Sequence, residues 1–163
     1  MKQLFREHAI SFSLLLVLTV MVLIFCFSAQ DADQSSKTSG FIVHWLLGVF
    51  CRDYDDFDPQ KQQAIREAVS HFVRKTAHFT EYSLLGFSLL LHFEALGSRF
   101  RIRFPRLYSQ LIGSVYAISD ELHQKMVSGR SAQASDVLLD AIGVFFGLMI
   151  LWLIQQVCQK RRS

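Results

Sequence analysis

Residues 10–27 read ISFSLLLVLTVMVLIFCF, and this uncharged apolar run decides the fold class. A helix that crosses a lipid bilayer needs roughly 20 mainly apolar residues. The run follows Lys2 and Arg6, as the core of a secretion signal would, but it is longer than such a core. It also lacks a small-residue cleavage site at its end. We therefore expect a retained membrane helix.

Three further segments have enough apolar residues to span a bilayer, at about 78–96, 107–123 and 137–157. The third of the four spans, 107–123, is the most polar, and a shorter apolar stretch suffices where the membrane thins. Half of the 163 residues are apolar, and the length suits one domain. The sequence predicts an all-α, polytopic membrane protein with four transmembrane helices in a single domain over residues 1–163.

Basic residues flank the predicted spans on one side. They precede the first span, cluster at 99–106 between the second and third, and follow the fourth at 160–162. Because such flanks stay in the cytoplasm, both termini should be cytoplasmic, with residues 28–77 and 124–136 outside. Basic clusters also occur in nucleic-acid-binding proteins. Their position beside apolar runs favours a membrane flank, and we expect no nucleic-acid partner.

The first outer connection is predicted to hold three elements. Residues 30–40 are polar and rich in Ser, which predicts a loop. Residues 41–51 are apolar but too short to span, which predicts an interfacial or re-entrant segment. Asp58 and Pro59 are typical of a helix start, and an amphipathic helix should run from there into the second span.

A polar stripe enters the second span at RKTAHFTEY, residues 74–82. At 3.6 residues per turn, Arg74, His78, Glu81 and Tyr82 share one helical face, with Lys75 at its edge. A charged side chain at the centre of a membrane helix costs roughly 2.5–3.5 kcal/mol. The stripe should therefore face protein or a wet cavity rather than lipid.

A second polar group ends the third span at SDELHQ, residues 119–124. Helical spacing places Asp120, His123 and Gln124 on one face and turns Glu121 elsewhere. Arg74 could pair with Asp120.

The ends of the other spans carry polar residues at the same predicted depth. Ser28 and Gln30 end the first span, and Arg130 lies in the loop before the fourth, within reach of Glu121. Asp136 is expected to cap the fourth helix. The predicted topology gathers all these residues at the outer face, so we expect one polar pocket there.

Three strings together resemble the VanZ-like family of membrane proteins: FSAQDADQSS from residue 27, RKTAHFTEY from 74, and SDELHQKMVSGRSAQASDVLLDAIG from 119. The resemblance extends over residues 27–147. Asp140 departs from the pattern, since the family often has Asn there. The resemblance implies a bacterial envelope protein, because the founding member accompanies glycopeptide-resistance genes and lowers sensitivity to the lipid-bearing glycopeptide teicoplanin. It implies no particular cofactor or reaction.

Two function classes follow for the outer pocket, besides a purely structural network that pins the helices. The first is binding of a membrane lipid or a lipid-linked envelope precursor, since Arg side chains grip phosphate and carboxylate oxygens well. The ligand-binding candidates are Ser28, Gln30, Arg74, Lys75, Tyr82, Glu121, Gln124, Arg130 and Asp136. The second is acid–base catalysis on such a molecule, with no covalent nucleophile motif in view. Its candidates are His78, Glu81, Asp120 and His123.

The histidines and carboxylates of this pocket could also bind a divalent metal ion. Nearby arginines would oppose a cation, so the sequence alone assigns no metal and no cofactor. The oligomeric state stays open as well.

Overall fold

The computed structural model describes residues 2–128 and 133–161, and within these ranges the protein consists of helices without a strand. The elements are α1 (Lys2–Ser28), α2 (Ala32–Phe50), a 3-10 turn (Tyr54–Asp56), α3 (Pro59–Phe100), α4 (Pro105–Gln124) and α5 (Ala134–Lys160). The all-α prediction is confirmed.

Helix α2 occupies a stretch that its composition did not suggest as helical. The Asp31 carboxylate accepts a hydrogen bond from the Gln34 amide at 2.7 Å and starts the helix. The Ser39 hydroxyl donates to the Ser35 carbonyl at 2.9 Å, so a polar side chain is satisfied within the helix itself. The predicted loop over 30–40 was therefore wrong. Residues 41–50 form the second half of one helix rather than a separate segment.

Helix α3 begins where the sequence predicts. The Asp58 carboxylate accepts hydrogen bonds from the amides of Gln60 and Lys61, both at 3.1 Å, and Pro59 occupies the first turn. These bonds satisfy two amides that the helix itself leaves unpaired. The predicted amphipathic helix and the predicted second span are continuous, and together they form one helix of 42 residues.

The long α3 is the central element and packs against each of the other four helices. Its lower half contributes to the main core, which consists of Val17, Val20, Ile24, Tyr82, Leu85, Leu89, Ala117 and Val144. Its upper half holds α2 through a smaller cluster, in which Val43 and Leu47 pack with Val73. Two separate apolar contacts thus position α1 and α2 on neighbouring parts of α3.

Helices α3 and α5 approach each other closely at glycines. A Cβ atom added at Gly147 would lie 2.8 Å from the Phe87 amide nitrogen, and one at Gly86 would lie 2.9 Å from the Val144 Cα atom. Real Cβ atoms do not come this near to backbone. Glycine permits this contact, because small residues let the backbones of neighbouring membrane helices meet.

Large apolar side chains cover much of the outer surface. Phe12 on α1, Val115 on α4 and Phe145 on α5 are each more than half exposed. Among the described residues, two helices are long and apolar enough to cross a membrane, at 6–28 and 134–160. Helices α3 and α4 do not meet that criterion, so four spans are not confirmed. Together these features indicate a membrane protein.

Candidate functional site

A buried hydrogen-bonded network joins the end of α1 to the end of α4. The Ser28 hydroxyl donates to Asp120 Oδ2 at 2.8 Å, and the Gln124 side-chain amide donates to the same oxygen at 3.0 Å. Gln124 also donates to the Ser28 hydroxyl at 3.2 Å. All three residues are buried. The network satisfies one oxygen of Asp120 with neutral donors and fixes the orientation of its carboxylate.

A small polar cavity of about 20 Å³ lies between α3, α4 and α5, and we call it the inner cavity. That volume holds about one water molecule or one ion. Its lining consists of Lys75, His78, Glu121, Gln124, Asp136, Leu139 and Asp140. At its rim the Lys75 ammonium donates to Asp136 Oδ1 at 2.6 Å. Glu121 Oε1 accepts from the Gln133 amide at 2.6 Å. The inner cavity is therefore mainly acidic, and its lysine is already paired.

One histidine and two aspartates converge next to the inner cavity, which His78 and Asp140 line and Asp120 adjoins. Single ligand atoms of His78, Asp120 and Asp140 all lie within 4.8 Å of one another. Asp120 is 4% exposed and Asp140 is 2% exposed, and no hydrogen bond from the described residues reaches Asp140 Oδ1. Asp140 was not among the site residues predicted from the sequence. The signal was present, because an ionisable residue inside an apolar helix marks a functional site by default.

A larger groove runs between α1, α2 and α3, and we call it the Phe27 groove. Its volume is about 220 Å³. It is lined by Phe27, Gln30, Ser35, Thr38, Ser39, Ile42, Val73, Arg74, Ala77, His78 and Glu81. Apolar side chains from three helices thus meet hydroxyl groups of α2 and the ionisable side chains of α3.

A second groove lies farther along α2 and α3, away from α1, and we call it the Arg66 groove. Its volume is about 230 Å³, and its lining consists of Ser36, Gly40, Val43, Arg66, Glu67, Ser70 and Arg74. Arg74 lines both grooves and marks their boundary. Among the described residues, neither an ion pair nor a hydrogen bond engages its guanidinium. The suggested pair of Arg74 with Asp120 does not form.

The structure divides the single predicted pocket into two compartments. His78 lines both the Phe27 groove and the inner cavity, whereas Gln30, Arg74 and Glu81 line the Phe27 groove and not the inner cavity. Lys75 lines only the inner cavity. The compartments differ in charge. The Phe27 groove carries Glu81 and Arg74, and Arg74 has no ion pair among the described residues, whereas the inner cavity carries three carboxylates and one paired lysine.

Two orientations on α4 differ from those expected, and Tyr82 of the α3 stripe faces protein rather than a cavity. Glu121 is buried and lines the inner cavity, although the spacing turned it away. The His123 ring stacks on Phe25 with centroids 4.8 Å apart, and it does not belong to the cluster of Asp120. Tyr82 is completely buried between the helices, its ring centroid 6.2 Å from that of Tyr116. Small rotations of a helix decide which of its side chains reach a cavity.

Two further predictions concern residues at or just before the start of α5. Asp136 is not the N-cap, since Gln133 holds that position and Asp136 lies within the first turn. A carboxylate there still faces the positive end of the helix dipole. Arg130, expected to bind a ligand, lies outside the described residues.

Comparison with known families decides the membership of the chain. The family model described as VanZ/LLP1 matches residues 12–155. The chain belongs to the VanZ/LLP1 family. All residues that line the inner cavity and the two grooves fall inside the VanZ/LLP1 match. Neither the curated proteins nor the solved structures gave a match to this VanZ/LLP1 chain.

Proposed function

We propose that this VanZ/LLP1 protein binds an anionic, lipid-linked molecule of the cell envelope in the grooves between α2 and α3. The observation that carries the proposal is the position of Arg74 at the boundary of the two grooves, with no partner among the described residues. A guanidinium binds phosphate or carboxylate oxygens in a bidentate manner and gains strength where water is excluded.

The shapes of the two grooves support a ligand with two chemically different ends. In the Phe27 groove, Phe27, Ile42 and Val73 offer an apolar surface for an acyl or isoprenyl chain. In the Arg66 groove, Arg66 and Arg74 offer two cations for a charged headgroup, beside one carboxylate, Glu67, that accepts a hydrogen bond from Gln63. A lipid-bearing glycopeptide combines an acyl chain with ionisable groups, so it belongs to the same class of ligand.

We further propose that the chain crosses the membrane four times, with both termini in the cytoplasm and the grooves at the outer face. The basic flanks of the predicted spans support this orientation. The apolar exposed surfaces of α1, α4 and α5 suit contact with lipid on several sides of the bundle.

Thiol labelling tests this topology in a background with Cys26, Cys51 and Cys158 replaced by alanine. We expect Ser128→Cys, after α4, to react with a membrane-impermeant maleimide in intact cells. Phe100→Cys, at the end of α3, should react only after lysis, because it would face the cytoplasm. Both positions are exposed, so accessibility alone does not separate them. Labelling of Ser128→Cys only after lysis would overturn the orientation.

Ligand binding is tested with a polyprenyl phosphate and the corresponding neutral polyprenol, measured by native mass spectrometry of the purified protein. We expect Arg74→Gln to weaken binding of the phosphate by about tenfold or more, the equivalent of one lost charge-assisted contact. Binding of the polyprenol should hardly change, because it has no anionic group for Arg74 to hold.

The matched control is Arg103→Gln, an exposed arginine between α3 and α4 at the far end of the bundle. It removes the same charge and should leave binding of both lipids within about twofold. Equal affinity of the wild-type protein for phosphate and polyprenol would contradict the proposal. So would equal losses in the Arg74 and Arg103 variants.

The alternative is an enzyme that acts on the same class of molecule by acid–base chemistry, as a hydrolase or transferase. The position of His78 favours it, since this imidazole lines the groove and lies beside the carboxylates of Asp120 and Asp140. Carboxylates that orient a histidine are a common arrangement for proton transfer. The same mass spectra distinguish the two functions, because turnover changes the mass of the lipid and binding does not.

A further inference from the structure

We propose that His78, Asp120 and Asp140 bind a divalent transition-metal ion, such as Zn²⁺ or Mn²⁺, at the inner cavity. The three side chains come from three different helices, α3, α4 and α5, and one potential ligand atom of each lies within 4.8 Å of the other two. The inference is independent of the proposed ligand of the grooves.

The electrostatics of the buried aspartates call for a cation. Asp120 and Asp140 are almost completely buried and close together, and two ionised carboxylates in such a place repel each other. No described Lys or Arg side chain bonds to either of them, since Lys75 is occupied by Asp136 and Asp120 is held by neutral donors. A divalent ion would neutralise both charges at once.

One carboxylate oxygen of Asp140 supports a ligand at this position. Its Oδ1 atom is buried without a hydrogen-bond partner in the described part of the chain, and the residue is 2% exposed. A buried polar atom in this state is costly unless something coordinates it. The inner cavity beside it has a volume of about 20 Å³, which is room for a single ion.

The distances between the potential ligand atoms of His78, Asp120 and Asp140 suit coordination of one metal ion after small side-chain rotations. Nitrogen and oxygen atoms bound to one zinc ion at about 2.1 Å lie about 3.4 Å apart in tetrahedral geometry. Side-chain rotations that move the ligand atoms by about 1 Å therefore close the site. Ser28 and Gln124 already hold Asp120 through its Oδ2 atom. Such outer hydrogen bonds orient a metal-binding carboxylate.

The donor set indicates which class of ion fits. Imidazole nitrogen suits Zn²⁺ and other late first-row metals, whereas carboxylates also accept Mn²⁺. Ca²⁺ and Mg²⁺ prefer oxygen ligands alone. With a histidine among the three ligands, a transition-metal ion should bind more tightly than either of these ions.

The test measures metal binding by the purified full-length protein. After removal of bound metal with a chelator, the protein is dialysed against buffered Zn²⁺ or Mn²⁺, and the bound metal is quantified by elemental analysis. We expect one equivalent per chain. Asp140→Asn and His78→Gln should each lower the affinity by about tenfold or more, because each removes a direct ligand.

Asp56→Asn is the matched control, since it makes the same change at an exposed carboxylate of the 3-10 turn, outside the inner cavity. It should leave the affinity within about twofold, because solvent and salt screen a distant exposed charge. Absence of stoichiometric Zn²⁺ or Mn²⁺ binding to the wild-type protein would overturn the site. Equal losses in the Asp56 and Asp140 variants would also overturn it.

Protein stability provides a second measurement, because an ion that binds only the folded state raises the unfolding temperature. Zn²⁺ or Mn²⁺ should raise the unfolding temperature of the wild-type protein and have little effect on His78→Gln. If Asp140→Asn fails to fold, this comparison decides the matter by itself. An equal shift in the wild-type and His78→Gln proteins would contradict the proposal, as would an unchanged wild-type protein.

Discussion

Replacing Gly147 by alanine should destabilise the protein by about 3 kcal/mol or more, whereas the same replacement at Gly48 should stabilise it by about 0.5–1 kcal/mol. In α5, the new methyl group would collide with the backbone of α3 at Ser83 and Phe87. Backbone atoms cannot swing aside as a side chain can, so the two helices would have to separate. In α2, nothing lies within 4 Å of a methyl group at Gly48, and only the higher helix propensity of alanine remains.

The pair of variants is measured by denaturant unfolding of the purified protein in one detergent, followed by circular dichroism. The same Gly→Ala change should alter the free energy of unfolding in opposite directions at the two positions. The comparison therefore separates the effect of the helix–helix contact from that of helix propensity. Equal stability of Gly147→Ala and wild type would mean that α3 and α5 do not meet as closely as described.

The Asp120→Ala variant should lose about 3 kcal/mol of stability, because the buried Ser28 hydroxyl and Gln124 amide would both lose their shared acceptor. Asp120→Asn should lose about 1 kcal/mol or less, since its amide oxygen can still accept a hydrogen bond. It also removes a negative charge next to Asp140, which relieves repulsion. The difference between the two variants therefore reports the hydrogen bonds rather than the charge.

A double-mutant cycle with Ser28→Ala tests whether this network ties α1 to α4. We expect a coupling energy of about 1–2 kcal/mol between Ser28 and Asp120, measured by unfolding in the presence of a chelator. The chelator removes any contribution of bound metal. The control cycle combines Asp120→Ala with Ser39→Ala, whose hydroxyl bonds within α2. If the losses in the free energy of unfolding are additive for the Ser28 and Asp120 variants, the hydrogen bond between the two residues does not stabilise the contact of α1 with α4.

Local patterns predicted the parts of the fold that depend on a few neighbouring residues. The start of α3 follows from Asp58 and Pro59, because a cap needs only the first turn of its own helix. The close packing near Gly147 follows from the absence of a side chain in a long apolar helix. Such features depend little on the rest of the chain.

The failures come from contacts between distant segments. The Ser-rich residues 32–40 are helical because the same helix continues into an apolar half, where Val43 packs against Val73 of α3. The cap at Asp31 is a local signal that the Ser-rich composition outweighed. Glu121 lines the inner cavity and His123 stacks on Phe25, the opposite of the expected orientations, because of how α4 is rotated against its neighbours. Helical spacing shows which residues share a face but not which partner that face meets.

The length of α3 has a consequence for how a molecule reaches the grooves. At 1.5 Å per residue, its 42 residues extend for about 63 Å, about twice the thickness of the hydrocarbon layer. In the topology that we propose, residues 78–96 are embedded, so the preceding part of α3 lies above the lipid tails with α2 packed against it. Arg74 then lies at the height of the lipid headgroups. In that arrangement, a lipid of the outer leaflet can reach the grooves between α2 and α3 by lateral diffusion, without leaving the bilayer.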